Sequence, residues 1–112
     1  MNIGNHHAYV IEGISEEIFV DLKKNLNEIY DVTSDGNPDI MEYIFPNFLV
    51  DHSREIKEAD IKSPFFLPKK IIIISFDSIT REAQNALLKV LEDPSPTSRF
   101  FIVTNSIQFK PR

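Results

Sequence analysis

The stretch GISEEIFV, Gly13 to Val20, stands where an α/β chain that opens on a strand would hold a phosphate. A cradle of the G-x-x-x-x-G-K-[ST] type uses glycines so that backbone N–H groups can wrap the phosphates. Its lysine supplies charge and its hydroxyl holds Mg²⁺. In that register Gly13 is present, but Ile18 replaces the second glycine, Phe19 the lysine and Val20 the hydroxyl. Glu16 and Glu17 would meet a triphosphate with like charge. Each change removes a separate contribution, so the spacing predicts no nucleotide binding in the usual mode.

A second place for the same chemistry is IIIISFDSIT, Ile71 to Thr80. A hydrolysing enzyme of this kind ends its buried strand on an aspartate for Mg²⁺, followed by an acidic group that activates water. Ser75 and Phe76 occupy those positions, and Asp77 comes two residues too late. Asp77 reads instead as a turn or helix-entry residue. No catalytic residue is therefore assigned.

The remaining candidates are fewer. His6 and His7 are adjacent, so on a strand they point to opposite faces, and with His52 they make no ligand spacing. No metal site is expected. Asn85 and Lys89 lie four apart on one side of a helix, as a solvated polar face or as a contact for a neighbouring protein. Phe65-Phe66-Leu67 sits between Pro64 and Pro68. It could anchor a partner through its aromatics, but the favoured reading is a lid folded over the core below Ile71–Ile74.

The elements that must position these residues follow from periodicity and punctuation. His7 to Glu12 has strand character, and Ser15 can cap a helix whose Ile18, Phe19, Leu22, Leu26 and Ile29 recur at helical spacing. Residues 31–39 are turn chemistry. A second strand runs from Ile40 to Phe45 and is ended by Pro46; a polar helix covers about Asp51 to Ile61. Ile71 to Ile74 is a β-branched run with no polar face, as in a strand covered on both sides. Thr80 is an N-cap for a helix with an apolar stripe of Ala83, Ala86, Leu87, Val90 and Leu91. Asp93-Pro94 stops it, and Arg99 to Thr104 is the fourth strand. The alternation predicts an α/β fold with a mostly parallel sheet.

Composition narrows the function classes. The chain has 112 residues, one domain's worth, with 42% hydrophobic and 26% charged residues and no cysteine. Disulfides, thiolate catalysis and cysteine-bound zinc are thereby excluded. No apolar run approaches a membrane span, and the first residues, MNIGNHHAYV, lack the pattern of a signal peptide. A cytoplasmic location is expected. A net charge of −5 argues against nucleic-acid binding by the isolated domain, and its basic doublets, Lys23-Lys24 and Lys69-Lys70, read as solvated flanks.

AQNALLKVLEDP, Ala83 to Pro94, followed by FFIVTNS, Phe100 to Ser106, resembles the clamp-loader branch of the AAA+ family. Members there carry a helix close to A-x-N-A-L-L-K-x-L-E-E-P-P that leads into a strand ending in T-N. HAYVIEG and VDHSREIK resemble upstream segments of the family in the right order. The likeness is strong over residues 70–106 and weaker before them.

What the resemblance implies is specific. It implies a three-layer P-loop NTPase-like fold with about four strands, and Thr104 and Asn105 at the sensor 1 position. A member with both phosphate loops degenerate is similar to the delta-prime subunit of the DNA polymerase III clamp loader. Such a subunit binds no ATP, carries no cofactor, and contacts gamma/tau-like motor subunits and a delta-like subunit. Many relatives insert a four-cysteine zinc module where this chain has only the turn of residues 31–39. Relatives also continue into L-L-P-T-x-x-S-R, of which IQFKPR matches at most the proline, Pro111. Residues 1–112 are thus expected to form a single minimal or truncated AAA+-like domain without lid and collar. The alternatives are a stand-alone adaptor that kept the fold and an NTPase with a non-standard phosphate site.

Overall fold

The computed structural model describes residues 8–12, 20–25, 37–66 and 69–104. Its strands are β1 (Ala8–Glu12), β2 (Ile40–Phe48), β3 (Lys70–Ile79) and β4 (Ser98–Thr104). Helix α1 is described over residues 20–25, α2 spans Val50–Ile61 and α3 spans Arg81–Glu92. All the strand pairs are parallel, in the order β1-β4-β3-β2. This is the α/β architecture with a parallel four-stranded sheet that the alternation of elements predicts.

The sheet is covered on both faces. Ile72, Ile74 and Phe76 of β3 join Phe100 and Ile102 of β4 beneath Ile56, Ala59, Ala83, Leu87 and Val90 of α2 and α3. Ile71 and Ile73 point the other way, with Phe101, Val103 and Leu22 of α1. Tyr9 of β1 stacks on Phe101 at 5.2 Å between ring centroids. Alternation along each strand thus feeds two apolar layers, which is why the run Ile71–Ile74 has no polar position. Each fully buried Ile or Phe contributes about 1.5–3 kcal/mol.

Element ends show where local rules held. Thr80 caps α3, its hydroxyl accepting the Ala83 N–H at 3.1 Å. Leu49 precedes α2 and has no side chain that can cap; the ring of His52 accepts the Leu49 N–H at Nδ1, 3.0 Å away. That ring also stacks on Phe45 at 3.9 Å.

Pro46 does not end β2, which runs on to Phe48. At the start of the pair the Ile71 N–H donates to Asp39 O, and at its end the Thr80 N–H donates to Phe48 O. The residues facing β3 therefore switch from odd to even once along β2, and Pro46 lacks a partner in the register. A proline is tolerated there because β2 is an edge of the described sheet, where a missing N–H costs little. No described helix is long and apolar enough to cross a membrane.

Candidate functional site

The carboxyl end of the sheet is where an α/β domain holds its ligand. There β3 presents Ser75 and Phe76, both buried, and then Asp77, which is exposed. Asp77 lies inside β3, not in a turn or at the entry to α3. β3 continues because β2 extends beside it as far as Phe48, opposite Ile79. On the neighbouring strand, buried Thr104 donates its hydroxyl to the Phe76 carbonyl at 2.9 Å. The side chain at the sensor-like position thus bonds the backbone of the next strand. Gly13 to Phe19 and Asn105 lie outside the described residues.

Asn85 and Lys89 are both exposed on α3 and share a groove of about 470 Å³ between α2 and α3. From α2 it is lined by Val50, Ser53, Arg54 and Lys57, and from α3 by Glu82, Asn85, Ala86, Lys89 and Val90. Each set follows helical spacing, so the two stripes face each other across the gap. Arg54 is held by Asp51 at 3.2 Å, one turn away. Lys57 and Lys89 have no ion-pair partner among the described residues. The part played by α2 was not anticipated from the sequence, although Val50, Ser53, Arg54 and Lys57 already stand at i, i+3, i+4 and i+7.

Below the groove, a buried polar cluster fixes the C-terminal ends of both helices. Lys70 is 1% exposed, and its ammonium donates to the carbonyls of Asp60 and Lys62 at the end of α2. A cation there satisfies orphan carbonyls and complements the helix dipole. Burial pushes the Lys70 ammonium below its ordinary pKa; Asp60 opposes that and Lys62 adds to it. The Asp60 carboxylate accepts the Ser95 N–H at 2.9 Å, anchoring the turn after α3. Of the two basic doublets, only part is solvated flank. Lys70 is interior, Lys69 reaches the Pro96 carbonyl at 3.1 Å, and Lys23 pairs with Glu42 at 2.9 Å.

The loop after α2 also departs from expectation. Phe65 and Phe66 are 74% and 82% exposed, so this segment is no lid over the core. Its backbone is held instead of its rings: the buried Asp39 carboxylate accepts the N–H groups of Phe65 at 2.5 Å and Phe66 at 2.7 Å. Leu67 and Pro68 lie outside the described residues, as do His6 and His7. Among the described residues no cluster of His, Asp or Glu could hold a metal ion.

Comparison with known proteins adds a family. The sequence matches the family model described as DNA polymerase III, delta subunit, over residues 14–109. No curated protein matches the chain significantly. Among solved structures it is similar to a DNA polymerase III gamma subunit-related protein from Thermotoga maritima, with a TM-score of 0.75 and 24% sequence identity. The match covers 95% of this chain and 37% of that one, so the chain spans little more than a third of that protein's length. At that identity the likeness speaks for a shared fold.

Proposed function

The chain belongs to the DNA polymerase III delta subunit family, and on that footing we propose that it serves DNA replication as a non-catalytic clamp-loader subunit of delta-prime type. In this reading it presents a rigid α/β face to gamma/tau-like motor subunits and a delta-like subunit, and does no chemistry of its own. The observation that carries the proposal is the end of β3. Where an ATPase needs a carboxylate for Mg²⁺, this chain buries Ser75 and Phe76 and ties the Phe76 carbonyl to Thr104. The sequence Gly13–Val20 supports the same reading, because Ile18, Phe19 and Val20 stand where the cradle needs Gly, Lys and a hydroxyl.

Titration of the full chain with Mg-ATP tests the absence of chemistry. No saturable heat at millimolar nucleotide is the expected result, and measurable affinity with phosphate release would favour an NTPase with a non-standard site. The assembly role is tested by a pull-down against the motor subunit and sliding clamp of the same organism, with and without ATP. Retention of the motor subunit is expected. A folded bait that retains neither protein would favour a stand-alone adaptor that has kept the fold.

A further inference from the structure

Charge is not spread evenly over α2. Burial raises the Tyr43 hydroxyl on β2 above its ordinary pKa, and the charges of Glu55 and Glu58 on α2 add to that. Arg54 and Lys57 line the groove against α3. Across the gap stand Asn85 and Lys89, with Glu82 at the start of α3. Since α2 and α3 each cross between parallel strands of one sheet, they run in the same direction. Glu82 therefore lies at the end of the groove shared with Arg54, and Lys89 at the end shared with Lys57. Arg54 is already met by Asp51, so the first end is left with the negative charge of Glu82, whereas the second carries two cations without ion-pair partners among the described residues.

A chain with a net charge of −5 thus keeps an apolar-floored groove with a positive end. Val50, Ala86 and Val90 provide the floor, and Asn85 offers an amide that can both donate and accept. We propose that this groove docks an acidic segment of a partner protein, with carboxylates between Lys57 and Lys89 and apolar side chains over Val50 and Val90. The proposal rests on the reading of the chain as a subunit that works through protein contacts, and names the chemistry of one such contact. Charge complementarity selects the occupant. A nucleic acid is a poorer fit, because a phosphate backbone needs a longer run of cations and would pass Glu82.

Fluorescence anisotropy of the full chain tests it with synthetic probes. One labelled peptide carries Leu and Glu at helical spacing, a second has Lys at each Glu position, and a third probe is a labelled DNA duplex. The Glu peptide should bind, more weakly as salt is raised, and in preference to the other two. In the double variant Lys57→Glu, Lys89→Glu its affinity should fall about tenfold, since two attractions become two repulsions, and the Lys peptide should gain. Lys24→Glu, an exposed change on α1 at the other face of the sheet, controls for half of that change in net charge. The proposal is overturned if neither peptide binds, if the duplex binds better, or if Lys24→Glu weakens binding by half as much as the double variant or more, on a logarithmic scale. A double variant that still retains the motor subunit would leave the clamp-loader reading intact while removing the groove as that contact. Loss of the motor subunit from the wild type as well would instead fail the clamp-loader reading, whatever the peptides do.

Discussion

The carboxylate of Asp39 accepts the N–H of Phe66 at 2.7 Å while Phe66 as a residue stands 82% exposed. The same carboxylate takes the Phe65 N–H, and the Asp39 main-chain carbonyl takes the N–H of Ile71. One residue at the start of β2 therefore holds both the loop after α2 and the first rung of β3. Two adjacent phenyl rings are kept in water by a restraint on the backbone behind them.

Replacing Asp39 with Ala should accordingly destabilise the fold by about 1–3 kcal/mol, the cost of orphaning part-buried donors that were bound to a charged group. Urea denaturation measures that loss, and hydrogen exchange locates it, through faster exchange at Phe65 and Phe66. Unchanged exchange at those amides would mean that the loop is held by something else.

The route from sequence to fold was clear wherever burial is periodic. The Ile71–Ile74 run, the stripe from Ala83 to Leu91 and the cap at Thr80 each report a local rule, and the sheet obeys them. Lys70 and Asp60 were hidden because a charged side chain is read as solvated unless its partners are known. Those partners are two backbone carbonyls at the end of α2 and, for Asp60, an N–H in the turn after α3. Pro46 misled for a related reason: a proline ends a central strand but is harmless on an edge, and only the topology shows which strand is the edge. Half of the groove, Asn85 and Lys89, was visible as a polar side of one helix. The other half needed the crossover that lays α2 beside α3.

Thr104 offers a way to separate a structural role from a role at a nucleotide. Its hydroxyl is buried and bound to the Phe76 carbonyl, so Thr104→Val keeps the shape and removes the donor. The expected loss is about 1–2 kcal/mol of stability, with Mg-ATP titrations as featureless as those of the wild type. Thr104→Ser should recover most of the stability because it restores the hydroxyl. A Val variant of undiminished stability would show that the Phe76 carbonyl is adequately satisfied without Thr104.

At alkaline pH two groups should pull stability in opposite directions. Tyr43 is raised from 10.0, first by burial and then by Glu55 and Glu58, so its folded form holds the proton more tightly than its unfolded form. The stability it contributes is complete below pH 10.0 and is lost as pH rises through the folded value. Lys70 is lowered from 10.5, chiefly by burial. Its folded ammonium releases the proton first, so stability rises with pH from the folded value up to 10.5. Thermal melts across this range, followed by circular dichroism, resolve the two, because every other titrating group is common to the chains compared. Tyr43→Phe cannot ionise and should gain on the wild type progressively above pH 10.0. Lys70→Met loses its bonds to the Asp60 and Lys62 carbonyls at every pH, so the informative quantity is its slope, which should lack the alkaline rise. If Tyr43→Phe and wild type instead melt in parallel through pH 10.0, the Tyr43 hydroxyl is solvated and Glu55 and Glu58 do not reach it.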